Sequence, residues 1–374
     1  MTWFSSKDTV TRRCRLLKIE PCLRSGRSLI MICPIVLEGY MSSCALVRYS
    51  HNTAYMPKGC KAWQKHVYDK SQLCILQSIK VYSVSIFKTR KGEAEYIAAY
   101  DAILRLWPVP CVERDVPTRF GSTHVIVSGP SKAQPLVLLH GSFGSATTWY
   151  LGVADLSRVY RTYALDTIGD LGKSVPRQLP VKRSDYVEWL SDAFDELGID
   201  QADIVGISFG GSLALKFALA KPERVKRLAL LGPGLRLLGP PTLLWPFYCL
   251  LVMVHPSPRT VRLYMQKASV NRYEKNDPVL LQRIKGMINL HFRRRFPSQL
   301  KFTKVELRNL KAPALLLIGD NEVLYDHESA LSQARRLIPN LEAEIVPDSG
   351  HALIRDQPEV VNSRILLFLK DRST

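Results

Sequence analysis

The chain has 374 residues, 46% of them apolar, and a formal net charge of +19. That length holds one large α/β domain with insertions or two ordinary domains, and the apolar share is enough for a sizeable core. The charge is concentrated in two places, +11 within residues 1–90 and +10 within 233–301, against −2 for the remainder; a basic binding protein spreads its charge over a folded face with interleaved aromatics, so no nucleic-acid partner is expected.

Residues 1–90 show no sustained helical or strand period and no capping pattern, yet they are too apolar for an ordinary disordered tail. Three readings are open: a poorly ordered extension, a small accessory domain, or a start placed too far upstream so that the stretch is not native protein. The first and third are favoured. Cys14, Cys22, Cys33, Cys44, Cys60 and Cys74 fall here without the C-x-x-C spacing of a metal site, and Cys111 and Cys249 are isolated. No cleavable signal peptide begins at Met1, so reduced thiols in a cytoplasmic protein are expected. The apolar runs 29–37, which contains Pro34, and 243–254 are too short to span a bilayer, and no transmembrane segment is expected.

Near Lys91 the texture changes. Residues 93–107 have the pattern of an amphipathic helix stopped by Pro108, and 115–119 with 122–128 alternate around Phe120-Gly121 as an antiparallel hairpin at a sheet edge. Strands and helices then take turns: strand 135–139, helix near 145–157, strand 161–166, helix 184–197, strand 202–207, helix 209–220 and strand 225–231. After an interruption come strand 313–318, helix 327–337, strand 342–346 and helix 358–369. Such alternation predicts a mostly parallel sheet with helices on both faces. The interruption, residues 233–301, is rich in Leu, Pro, Tyr and Arg and is the place for an inserted helical cap. The core is therefore expected as 91–232 and 302–374.

Gly206-Ile207-Ser208-Phe209-Gly210 joins a strand to a helix, the context that makes G-x-S-x-G a nucleophile elbow; Gly206 and Gly210 leave room for the tight turn. A serine nucleophile needs a base and preorganised oxyanion donors. His140-Gly141-Ser142-Phe143-Gly144, after strand 135–139, has the form of an oxyanion loop. The expected donors are the backbone N–H groups of Ser142 and Phe209, with a structural role for the His140 ring. Asp348-Ser349-Gly350-His351 places a histidine after the last strand, where it serves as general base and acid. Among Asp320, Glu322 and Asp326, the third residue after Gly319 is Glu322, the expected triad acid; Asp320 holds the turn and Asp326 caps the following helix. Asp166 and Asp170 are expected to be structural, and no metal or cofactor is expected. Arg293-Arg294-Arg295 is expected to be a solvated face.

With the elbow, the oxyanion loop, Asp166-Thr167-Ile168-Gly169-Asp170 and Asp348-Ser349-Gly350-His351 in hand, the chain resembles the α/β-hydrolase superfamily. Residues 96–369 resemble small bacterial carboxylesterases, a likeness that includes Tyr100–Pro108, Thr118–His124 and Leu316–Tyr325. The resemblance implies an eight-stranded sheet and hydrolysis of a small-molecule carboxylic ester through an acyl-enzyme on Ser208. It also implies a carboxylate after the seventh strand; Glu322 stands where the family usually has Asp. Amide, lactone or thioester cleavage on the same triad, or a non-catalytic ligand-binding protein of this fold, are the alternatives. Phe143, Trp245 and Phe247 are the expected substrate-binding residues, since 243–254 is unusually apolar for an insertion.

Overall fold

The computed structural model describes residues 84–234, 242, 244–291 and 302–370, together with strand segments 30–37, 40–50 and 53–55. The chain divides into two compact units, Met1–Lys80 and Val81–Thr374. In the first, β1 (Ile30–Leu37), β2 (Tyr40–Ser50) and β3 (Thr53–Tyr55) form an antiparallel sheet in that order. No strand period marks this stretch in the sequence. β1, IMICPIVL, is apolar at every position, so no alternation announces it, and its register with β2 shifts between Pro34, which cannot donate to the ladder, and Val36.

The second unit begins before Lys91. Ile86 and Phe87 are buried, and the N–H of Lys88 donates to Asn289 O and that of His291 to Ile86 O, so this short segment is paired to chain some 200 residues away. Then come α1 (Arg90–Leu104), β4 (Cys111–Thr118), β5 (Gly121–Ser128), β6 (Pro135–Leu139), β7 (Arg161–Leu165) and the two-residue β8 (Val175–Pro176). After α2 (Arg183–Leu197), β9 (Ala202–Ile207) and α3 (Phe209–Ala220) run into β10 (Val225–Leu231). Between β10 and the next strand lie α4 (Leu244–Val254), α5 (Pro258–Lys267) and α6 (Pro278–Asn289), the helices of the expected cap segment. The chain finishes with β11 (Ala314–Gly319), α7 (His327–Leu337), β12 (Leu341–Val346) and α8 (Pro358–Leu369). The helix expected over 145–157 is two pieces, a 3-10 turn at Ala146–Leu151 and one helical turn at Val153–Leu156, parted at Gly152.

Eight strands lie in the order β12-β11-β10-β9-β6-β7-β5-β4, with β8 paired to β5 as a ninth. Pairings along β12-β11-β10-β9-β6-β7 are parallel, and β5 runs antiparallel to β7, β4 and β8. Successive strand residues point to opposite faces, so each strand serves two cores. Val137, Leu139, Leu316 and Ile318 join Trp189, Phe194 and Phe217 under α2 and α3. Leu136, Leu138, Leu315 and Leu317 join Tyr96, Trp149 and Ile365 on the other face, under α1 and α8.

The strand order reverses beside β6, since β7 lies on one side of it and β9 on the other. In an open α/β sheet the crevice outside the carboxyl ends at such a reversal is where ligands bind. The register aligns those ends: Leu139 faces Gly206, Ile207 faces Leu231, Leu231 faces Leu317 and Gly319 faces Val346. The loops carrying Ser142, Ser208, Glu322 and His351 therefore leave the sheet along one edge.

Candidate active site

Ser208 ends β9 and begins α3 at φ 51° and ψ −113°. Positive φ is costly for a residue with a Cβ and persists only where surroundings over-determine it. Here its N–H donates to Leu231 O at 2.9 Å on the neighbouring strand, and its C=O accepts from Ser212 N at 3.0 Å in the helix. The glycines make the turn possible: a Cβ at Gly206 would lie 2.4 Å from Gly210 O, and one at Gly210 would lie 2.3 Å from Leu139 O. Ser208 is half-buried, as are Ser142 and His351, so the three meet solvent at one edge of a buried framework.

Glu322 and His351 form a pair: His351 Nδ1 lies 2.9 Å from Glu322 Oε2, with the carboxylate side chain fully buried and the imidazole 12% exposed. The other oxygen, Oε1, accepts from the N–H groups of Val323 at 2.8 Å and Leu324 at 2.9 Å. Both oxygens of the buried carboxylate thus have donors, as burial demands. Gly232 follows β10 immediately; a Cβ there would stand 3.0 Å from Glu322 Oε2 and 3.2 Å from His351 Nδ1. Because Leu231 O holds the Ser208 N–H, one short stretch of chain touches both the elbow and the Glu–His pair.

The two neighbouring carboxylates do other things. Asp320 accepts from Asp348 N and Ser349 N, each at 3.0 Å, and so ties the end of β11 to the loop that carries His351. Partial burial alone would raise its pKa, but the N–H donors of Ser349 and Asp348 outweigh it and hold the group below the usual carboxylate range. Asp326 accepts from Ser329 N at 2.8 Å and is the N-cap of α7.

Across the elbow, a Cβ at Gly141 would lie 3.2 Å from Ser208 Cβ, so the loop after β6 packs directly on the serine. His140 is buried inside this loop. Its Nε2 accepts from Thr167 N at 2.9 Å and its Nδ1 donates to Gly141 O at 2.8 Å, a pairing that requires the neutral ring. Burial pushes its pKa down to about 4, against the Gly141 hydrogen bond and with help from the Arg283 charge. Gly141 O also accepts from Gly144 N at 2.9 Å. The C=O and N–H of a trans peptide point opposite ways, so fixing Gly141 O inward aims the Ser142 N–H outward. Phe209 is the first residue of α3, where N–H groups have no partner within the helix; its ring is buried edge-on to Tyr186 at 5.5 Å, leaving the backbone at the site.

A family model described as the alpha/beta hydrolase family matches residues 136–364. The chain belongs to that family. Two relatives come from Bacillus subtilis (strain 168): a protein named uncharacterized carboxylesterase nap, 39% identical over 77% of this chain and 96% of its own, and carboxylesterase YbfK, 36% identical over 76% and 96%. The crystal structure of naproxen esterase (carboxylesterase NP) from Bacillus subtilis is 38% identical with a TM-score of 0.69, covering 75% of this chain and 99% of that one.

Of the expected substrate residues of this hydrolase, Trp245 comes to the site: its ring centroid lies 6.1 Å from that of His351 and 4.7 Å from that of Tyr264. Phe143 is buried at φ 58°, with its N–H on Asp170. Phe247 does not come to the site in the same way; it is 57% exposed and packs on Tyr248. On a helix this short, side chains two positions apart point to different sides. Arg293-Arg294-Arg295 lies outside the described residues.

The sequence reading missed two residues of α6. Gln282 donates from Nε2 to Ser145 Oγ at 3.2 Å and Thr147 Oγ1 at 3.0 Å, and Arg283 donates from Nη1 to Ser142 O at 3.1 Å. Nothing local marks them, since their partners lie about 140 residues earlier in the chain.

Proposed function

We propose that this hydrolase cleaves carboxylic esters of small molecules through an acyl-enzyme on Ser208, with His351 and Glu322 completing the triad. The observation that carries the reading is the buried Glu322 carboxylate, 2.9 Å from His351 Nδ1, beside a serine held at positive φ. With Nδ1–H donated to Glu322, Nε2 is the nitrogen that takes the Ser208 proton as Oγ adds to the ester carbonyl. The N–H groups of Ser142 and Phe209 receive the developing oxyanion, and His351 then passes its proton to the departing alcohol. Water repeats the sequence on the acyl-enzyme and releases the acid.

This chemistry needs no cofactor or metal. Trp245 and Phe143 form the wall for the acyl or alcohol group. The relatives named as carboxylesterases support the ester as the substrate class. Among the described residues no helix is long and apolar enough to cross a membrane, and Cys111 and Cys249 carry free thiols.

The test is hydrolysis of p-nitrophenyl butyrate with fluorophosphonate labelling. Ser208→Ala should lower kcat by several orders of magnitude at unchanged folded content and abolish labelling. Label on any other residue overturns the assignment.

A further inference from the structure

The peptide unit joining Ser142 to Phe143 is held at both ends. Its C=O, on Ser142, accepts from Arg283 Nη1 at 3.1 Å; its N–H, on Phe143, donates to Asp170 Oδ1 and Oδ2, each at 3.1 Å. Arg283 comes from α6, in the segment inserted after β10, and Asp170 from the loop after β7. Asp170 is itself fixed by Leu171 N at 2.8 Å. The residue so gripped, Phe143, has φ 58°, a conformation that a phenylalanine does not adopt unaided. Next to Arg283, Gln282 grips Ser145 and Thr147 of the same loop.

The adjoining peptide, from Gly141 to Ser142, carries the N–H assigned above to the oxyanion. Its direction depends on the loop staying in this one shape, because a rotation about the Ser142 dihedrals would swing that N–H away from the elbow. A hydrogen bond from a guanidinium is stronger than a neutral one, and the Phe143 N–H reaches both oxygens of Asp170, so these two contacts outweigh the other loop bonds.

We propose that Arg283 and Asp170 are positioning residues: together they clamp the Ser142–Phe143 peptide and thereby aim the Ser142 N–H at the oxyanion. The helix inserted after β10 is then a working part of the oxyanion hole as well as a cover for substrate. Neither residue needs to touch the ester. The consequence is confined to the transition state, where the oxyanion exists, and so falls on kcat and leaves KM alone. This inference rests on the proposed triad chemistry of Ser208.

Arg283→Met removes the donor and keeps the length of the side chain; Arg283→Lys restores one donor. Removing an oxyanion donor outright costs about 100- to 1000-fold in kcat, so loosening its aim in Arg283→Met should cost about 10- to 100-fold, with KM within about threefold. Arg283→Lys should recover most of the loss. Phenylethylboronic acid, whose tetrahedral serine adduct places an oxygen in the oxyanion hole, should bind Arg283→Met at least about tenfold more weakly, while the product acid binds unchanged.

Asp170→Asn, whose amide sets a donor against the Phe143 N–H in place of one of the two oxygens that now accept from it, tests the other end and keeps the inference testable if Arg283→Met fails to fold; the same kcat-confined loss is expected. Unchanged kcat in Arg283→Met or in Asp170→Asn, or a rise in KM at constant kcat, overturns the proposal. Ser208→Ala, assayed alongside, separates the two failures. If it stays active, the triad reading falls and takes this inference with it; if it is silent while Arg283→Met matches wild type, only the clamp falls.

Discussion

At the scale of single residues, three carboxylates crowd the loop after β11, and what each one accepts distinguishes them. Glu322 spends one oxygen on His351 and the other on two backbone N–H groups, with its side chain fully buried. Asp320 and Asp326 spend theirs on backbone N–H groups of the His351 loop and of α7. Glu322→Gln keeps the shape but removes the charge that orients the imidazole and stabilises imidazolium, so kcat on p-nitrophenyl butyrate should fall by about 10³- to 10⁴-fold. Asp320→Asn gives up one of its two bonds to the loop but leaves the Glu322–His351 pair intact, and should cost less than about tenfold; the reverse order would move the acid to Asp320. Trp245 and Phe247 separate in the same manner. Trp245→Ala should change the ranking of p-nitrophenyl esters by acyl length, because its ring stands over the histidine side of the cleft. Phe247→Ala, more than half exposed, should leave the ranking intact. An equal loss across all esters in Trp245→Ala would assign that ring to plain packing of α4.

At the scale of elements, the unit that carries the site starts ahead of the helix that announces it in sequence. Ile86 and Phe87 are buried, and the segment pairs with the chain around Leu290 at the end of α6. Full burial of side chains of this size is worth about 1.5–3 kcal/mol each. A chain beginning at Lys91 should therefore melt several degrees lower than one beginning at Val81. The chain beginning at Val81 should keep the activity and melting temperature of the full protein. Equal melting of the two shortened chains would mean that Ile86 and Phe87 contribute nothing to the fold. These two residues escaped the sequence reading because their partners are distant and their segment is too short for a period. The parallel strands β6, β9, β10 and β11 were legible for the opposite reason: each is a five- to seven-residue segment in which apolar side chains predominate, bounded by turn chemistry. The elbow and the histidine were legible because their place at strand ends repeats the same grammar. Gln282 and Arg283 were not, since a polar residue on a helix has no local signal that says it grips a loop.

At the scale of the whole molecule, the two hydrogen-bonded loops after β6 and β7 carry two buried titrating groups whose effects on stability oppose each other. His140 is held neutral down to about 4 from an ordinary 6.5, by burial first and by the nearby Arg283 charge. As pH falls through that window the unfolded chain takes up a proton that the folded chain refuses, so stability is lost toward acid, by about 3 kcal/mol when complete. Asp170 is raised to about 7 from an ordinary 3.8, again by burial first, against the Leu171 and Phe143 N–H bonds and Arg283. Through its window the folded chain keeps a proton that the unfolded chain has lost, so stability is lost as pH rises, by about 4 kcal/mol when complete. Between about pH 4 and 6.5 one uptake offsets the other, and this pair adds little slope to the stability curve. Asp170→Asn removes one side of the balance. Measured by urea unfolding, the variant should lose about 2–3 kcal/mol more than wild type between pH 7 and pH 4.5, at equal m-values. Parallel curves for the two proteins would mean that Asp170 is ionised in the folded state throughout that range, and that the Arg283 end of the clamp faces a full carboxylate charge.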